Sequence, residues 1–109
     1  MKLSEFKSLF LITRTGCEVI VKHHAFAHYP ERGFSKVELI LLIRKGTGRF
    51  EDNKSPEAID NSFLFFPKDE QGRECKLVVL IEVVEIEDEN PTEGTKSIIV
   101  CSAYRSIEK

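Results

Sequence analysis

The spacing of hydrophobic residues predicts helices in the first half of the chain. Apolar residues recur at intervals of three and four near the amino terminus, which predicts a helix over 4–12. Its mainly apolar stripe consists of Leu3, Phe6, Leu9, Phe10 and Thr13. The β-branched segment 18–22 predicts a short strand that leads to His23. Residues 24–29 have helical propensity until Pro30, which ends that helix.

A further helix is predicted from Ser35 to Lys45. The Ser35 hydroxyl can cap the backbone, and Glu38 completes the S-x-x-E pattern of a capping box. Lys45 and Gly46 supply a basic last turn and a stop. Apolar residues occupy position 37 and positions 39–43, on most sides of this helix. We therefore expect the helix to be deeply buried.

Extended patterns follow Gly48. Segments 49–51, 62–66, 75–87 and 97–104 are predicted to be extended, with a turn over 67–73 and an acidic loop over 87–94. Helices followed by an antiparallel meander are typical of the α+β class. We predict one α+β domain over 1–109, with two or three amino-terminal helices packed on an antiparallel sheet of three or four strands.

Composition narrows the class of protein further. Of 109 residues, 41% are hydrophobic and 31% are charged, which is enough for one core without metal or disulfide staples. The apolar runs are far shorter than the roughly 20 residues that span a bilayer. The amino terminus lacks the features of a secretory signal, so we expect a cytoplasmic protein without membrane association. Cys17, Cys75 and Cys101 are widely spaced, which favours small buried residues over a zinc site or disulfide framework.

Charge is distributed unevenly along the chain. Residues 1–54 contain ten Lys and Arg against six Asp and Glu, whereas residues 55–109 contain six against twelve, and the net charge is −2. A mildly basic first half could face a phosphate backbone, because Lys and Arg contacts supply most nonspecific affinity for nucleic acid. The alternative is a solvated surface.

All three histidines, His23, His24 and His28, lie within six residues. His24 and His28 would project from one helical face, a spacing that can bind a metal, but the sequence nearby offers no third ligand. We therefore predict neither a metal nor another cofactor. Two interpretations remain open: histidines that merely pack or face solvent, and histidines that act as acid–base groups, which their ordinary pKa of about 6.5 suits.

Acid–base histidines are sufficient for RNA cleavage without metal. The neighbouring 2′-hydroxyl is the nucleophile, one group removes its proton, and another protonates the leaving oxygen. His24 and His28 are the candidates for these two roles. Cations must also stabilise the charged phosphorane, and the candidates are Arg32, Lys36 and Arg105.

The last predicted strand adds polar candidates. Alternation places Cys101, Ala103 and Arg105 on one face, and Ser102 and Tyr104 on the other. Ser102 lacks the G-x-S-x-G context of a nucleophilic hydrolase, so we predict substrate binding for it. Tyr104 could hydrogen-bond a phosphate or stack on a base, and the alternative is ordinary packing at a strand end.

The segment over 24–35, H-A-F-A-H-Y-P-E-R-G-F-S, resembles one found in a family of small bacterial and phage proteins. That family is similar to the barnase, EndoU, colicin and RelE group of ribonuclease toxins. The resemblance has three parts. A strand leads into the dipeptide H-A, a dipeptide R-G precedes a helix that ends in glycine, and the final strand ends near a tyrosine. It implies helices packed on an antiparallel sheet and RNA cleavage without metal.

The resemblance marks His24 as the matching histidine and Arg32 as the matching arginine before glycine. At position 28 the family pattern H-A-x-x-R has arginine, whereas this chain has His28. One phosphate-binding cation is therefore missing, unless His28 serves as a second acid–base group. The leading hypothesis is a toxin-like endoribonuclease with RNA as substrate and a protein antitoxin or other protein as partner. The alternative is a noncatalytic module that binds protein or nucleic acid.

Overall fold

The chain forms three helices and five strands in a computed structural model, which describes residues 1–26, 34–56, 58, 61–84 and 95–105. The helices are α1 (Leu3–Thr13), α2 (His23–Phe26) and α3 (Lys36–Lys45). The strands are β1 (Glu18–Val21), β2 (Gly48–Asp52), β3 (Phe63–Pro67), β4 (Cys75–Val84) and β5 (Thr95–Arg105). The predicted α+β class is confirmed. Predicted residues 27–29 and 85–87 lie outside the described residues.

The five strands form one mixed sheet in the order β1-β5-β4-β3-β2. Three neighbouring pairs are antiparallel, whereas β1 runs parallel to β5. The predicted antiparallel arrangement is confirmed for β2 to β5, whereas the sheet has five strands rather than three or four and its edge strand β1 is parallel. A parallel pair needs a long connection, and here residues 22–94 separate the two strands. Local patterns could not indicate that these strands pair.

One face of the sheet is covered by the helices. The core contains the predicted stripe of α1, where Phe6 and Phe10 are fully buried. The ring of Phe6 stacks on Phe63 with 4.4 Å between centroids, and Phe10 lies 5.0 Å from Phe65. Phe50 of β2 joins the same cluster. These aromatic contacts attach α1 to the β2–β3 half of the sheet.

Helix α3 is less buried than its composition predicts. Ser35 caps it as expected, accepting a hydrogen bond of 3.1 Å from the Glu38 backbone N–H. Only one stripe of the helix, which contains Leu39, Leu42 and Ile43, enters the core. On the opposite side of α3, Val37 is 67% exposed and Leu41 is 47% exposed. The expectation of a deeply buried helix was wrong, because the sheet covers one side of α3 only.

Two arginines join the carboxyl ends of α1 and α3. Arg14, which follows α1, donates from Nε to the Ile43 carbonyl over 2.8 Å and from Nη2 to the Gly46 carbonyl. Arg44 of α3 donates in return to the carbonyls of Arg14, Thr15 and Cys17 at 3.1 to 3.3 Å. Burial lowers the pKa of Arg14. Each guanidinium therefore caps the end of the other helix, where carbonyl groups otherwise lack partners.

We expect Arg44→Ala to lower the free energy of unfolding by about 1 to 2 kcal/mol, because it removes several charged hydrogen bonds to backbone carbonyls. Arg44→Lys should recover less than half of that loss, since one ammonium cannot reach all three carbonyls together. Urea unfolding measures both variants. Lys45→Ala, which removes an exposed neighbouring cation, is the control. An unchanged midpoint in Arg44→Ala would contradict the capping role.

Two further sequence-based expectations concern the cysteines and the membrane. Cys75 and Cys101 are buried as expected, Cys17 is half-buried, and all three are free thiols. Within the described ranges, the chain contains no helix of the length and apolarity needed to span a membrane.

Candidate functional site

Helix α2 lies beside the second half of β5. Strand β1 ends at Val21, which is opposite Val100, whereas β5 continues to Arg105. The Lys22 backbone N–H donates to the Val100 carbonyl over 3.0 Å, and the Ala25 N–H donates to the Lys22 carbonyl. The chain therefore turns into α2 where β1 stops, and α2 packs against β5. Ala25 is buried in the core.

The structure describes the predicted histidine site in part. His24 belongs to α2, so its backbone is positioned against β5, whereas its side chain lies outside the description. His28 and Arg32 also lie outside the described residues. The site predicted between the His24 helix and the final strand therefore has its two elements in contact.

A β-bulge determines which side chains of β5 face away from the helices. Val79 pairs with Val100 and Val78 pairs with Ser102, so Cys101 is the extra residue in β5. Before the bulge Val100 is fully buried, and after it Ser102 is half-exposed. Strict alternation would have placed these two residues on the same face. The bulge therefore turns Ser102, and Tyr104 after it, away from the core.

Ser102 and Tyr104 are the predicted site residues that the structure brings together. Tyr104 pairs with Lys76 of β4, whose Nζ lies 5.4 Å from the centre of the Tyr104 ring. Arg105 is next along β5 and pairs with Cys75. Lys36, in contrast, begins α3 with an exposed side chain, and α3 packs mainly against β1. The structure does not bring Lys36 to the Tyr104 position.

Tyr104 is one end of a row of four side chains that crosses the sheet. Arg49 of β2 pairs with Phe66 of β3. Phe65 pairs with Leu77, and the same register one residue further along places Phe66 opposite Lys76 of β4. Lys76 is opposite Tyr104. Cations and aromatic rings therefore alternate from β2 to β5, and we call these four residues the cation–aromatic row. Sequence analysis missed Arg49, Phe66 and Lys76, although Lys76 interrupts an apolar strand.

Arg49 is held in place by three neighbours. Its Nε contacts Glu51 at 2.8 Å, its Nη1 contacts Glu74 at 2.7 Å, and its guanidinium carbon lies 4.0 Å from the centre of the Phe66 ring. The hydrogen bonds to Glu74 and Glu51 raise the pKa of Arg49. The ion pairs are exposed and contribute little stability. Their effect is to orient the guanidinium on the ring.

Cys101 lies close to the junction of β1 and α2. Burial raises the pKa of its thiol, and the nearby Lys22 ammonium opposes that rise. The thiol therefore stays protonated at neutral pH, which makes it a poor nucleophile.

Other polar groups of the described residues lie elsewhere. Among the side chains that the structure describes, no three His, Cys, Asp or Glu residues are grouped so that they could hold a metal ion. A groove of about 500 Å³ lies between α3 and the β3–β4 turn, lined by residues that include Val37, Leu41, Lys45, Lys68 and Glu70. Among the described residues that line the groove, none is a predicted site residue.

The chain was compared with known proteins at three levels. No match was found among models of protein families, among curated proteins or among solved structures. The candidate site is therefore described by its own geometry: α2 packed against the part of β5 that presents Ser102 and Tyr104.

Proposed function

We propose that the protein is a metal-independent endoribonuclease whose site lies between α2 and the carboxyl end of β5. One observation carries the proposal: the parallel pairing of β1 with β5 brings the His24 helix against the strand that presents Tyr104 and Ser102. His24 and Tyr104 are far apart in the sequence, whereas α2 and β5 are in contact in the fold. In the proposal, α2 supplies acid–base groups and the carboxyl end of β5 supplies phosphate-binding groups to one substrate.

The proposed reaction is an internal transfer at one phosphodiester. A histidine base, either His24 or His28, takes the proton of a 2′-hydroxyl, whose oxygen then forms a bond to the adjacent phosphorus. The bond from phosphorus to the 5′-oxygen of the next nucleotide breaks, and the second histidine gives that oxygen a proton. The products are a 2′,3′-cyclic phosphate and a free 5′-hydroxyl. No water molecule or metal ion takes part in this step.

The remaining roles concern charge and position. Arg32, Arg105 and Lys36 are the predicted cations for the phosphorane; Arg105 belongs to β5, against which α2 packs, whereas Lys36 begins α3. Tyr104 and Ser102 would hold the substrate by stacking and hydrogen bonding. The sequence resemblance extends the proposal to an antitoxin as a protein partner.

The direct test is incubation of the purified full-length chain with total RNA in excess chelator. We expect discrete cleavage, with fragments that carry a 2′,3′-cyclic phosphate and a 5′-hydroxyl. An RNA with 2′-O-methyl groups is the control, because it lacks the nucleophile and should remain intact. Intact RNA in every reaction, or cleavage that stops in chelator, would overturn the proposal.

A second candidate function is noncatalytic binding of nucleic acid. The half-exposed aromatic and exposed basic side chains on the side of the sheet that faces away from α1 and α3 favour it, because such side chains can bind a strand without cleaving it. The nuclease and the noncatalytic module predict different results when the protein is incubated with RNA. The noncatalytic module would bind RNA and leave its length unchanged.

A further inference from the structure

We propose that the cation–aromatic row of Arg49, Phe66, Lys76 and Tyr104 is a track for a single-stranded segment of RNA across the sheet. This inference rests on the proposed function, since it states where the substrate would lie. The row starts on β2 and ends on β5, the strand against which α2 packs. A strand of RNA that follows the row therefore ends on the strand that α2 contacts.

Arg49 presents a flat surface rather than a free charge. Glu51 and Glu74 occupy its in-plane donors Nε and Nη1, and one side of the guanidinium lies over the Phe66 ring. The side chain nevertheless remains 54% exposed. Two carboxylates exceed its single positive charge, so a phosphate is disfavoured there. A planar guanidinium is, however, a surface on which nucleobases stack in RNA-binding proteins.

Lys76 and Tyr104 supply the other two contacts that a strand of RNA needs. Lys76 is exposed, and its ammonium is bonded to no carboxylate among the described ion pairs. It can therefore bind a phosphate between two stacked bases. Tyr104 is half-exposed, and its ring can stack on a base while its hydroxyl hydrogen-bonds a phosphate. Among the described residues, planar groups thus lie on both sides of the exposed Lys76 ammonium.

Acidic residues at the opposite end of the same face limit where RNA can lie. Glu82 of β4 and Glu18 of β1 both pair with Ser97, and both are exposed. Glu82 is about 20 Å from Lys76 along the strand, at about 3.3 Å per residue. Their carboxylates repel a phosphate backbone, which favours the end of the face where Lys76 lies. The row spans about 14 Å, because neighbouring strands are about 4.8 Å apart, and the four-stranded sheets of known RNA-binding modules stack two or three bases.

The stacking surface of Arg49 on Phe66 is tested by measuring the affinity of the full-length protein for a fluorescent single-stranded hexanucleotide. The hexanucleotide has 2′-O-methyl riboses and cannot be cleaved. We expect Arg49→Lys to weaken binding about tenfold, because the charge remains and the plane is lost. Phe66→Leu should have a similar effect, since it removes the ring beneath the guanidinium. The matched control is Arg73→Lys, which changes another ion-paired arginine in the β3–β4 turn. Melting temperatures show whether each variant is folded.

Lys76 is tested by salt titration of the same binding reaction. We expect Lys76→Gln to reduce the slope of log affinity against log salt by about 0.7, the contribution of one phosphate contact on a single strand. Arg49→Lys should leave that slope nearly unchanged. Lys7→Gln is the matched control, because Lys7 is exposed on α1, which covers the other side of the sheet.

Three results would each overturn the track. The first is parent-like affinity in folded Arg49→Lys and Phe66→Leu proteins, and the second is a parent-like salt slope in Lys76→Gln. The third is an affinity of the parent for a fully paired duplex that equals its affinity for the single strand. Cleavage assays on the same variants separate this inference from the proposed function. Binding that depends on the row without any cleavage would retain the track and refute the nuclease. Cleavage with an unchanged KM in all three variants would retain the nuclease and refute the track.

Discussion

The His24→Ala variant is expected to cleave RNA at least about 100 times more slowly than the parent protein, because a positioned acid–base group contributes roughly 10² to 10⁴ to the rate. The loss should appear in kcat rather than in KM, since the imidazole transfers a proton and does not hold the substrate. The parent's rate should depend on pH near neutrality, and the variant should lose one limb of that dependence. Initial rates on a short labelled RNA between pH 5 and 9 measure both effects.

His23→Ala is the matched control, because it removes an imidazole from the adjacent position of the same helix. It should keep the parent's rate and pH profile. Circular dichroism and thermal melting of both variants establish that α2 still packs on the sheet. Parent-like activity in a folded His24→Ala protein, or an equal loss in both variants, would show that His24 has no part in proton transfer.

Phe6→Ala should lower the free energy of unfolding by about 3 to 5 kcal/mol, the range for removing a fully buried aromatic ring. Phe6 stacks on Phe63 and also contacts Phe10 and Phe50, so its loss leaves a cavity between α1 and the sheet. A domain of this size is stable by only about 5 to 15 kcal/mol. Urea denaturation should therefore show a large fall in the midpoint with little change in slope.

The control for Phe6 lies on the same helix. Ile12 is 76% exposed, so Ile12→Ala should change stability by less than about 0.5 kcal/mol. If the two variants unfold at similar urea concentrations, the aromatic cluster does not attach α1 to the sheet.

Local sequence patterns determined the helices and strands of this protein, but they determined little of how these elements are arranged. The apolar stripe of α1, the Ser35 cap and the position of Gly46 each depend on residues within one or two turns, so these features follow from local physical chemistry. The positions of β3, β4 and β5 were likewise predictable from runs of β-branched and aromatic residues. The class of the fold was therefore readable from the order of these patterns.

The site depended on tertiary contacts that no local pattern carries. The parallel pairing of β1 with β5 joins segments from opposite ends of the chain, and it places α2 against β5. The bulge at Cys101 is defined by the pairing of β5 with β4, because β5 has one more residue than β4 between the same two paired positions. The cation–aromatic row arises from the register of four strands. The sequence by itself thus determined the helices, the strands and a histidine helix, whereas strand order and register decided which side chains could meet.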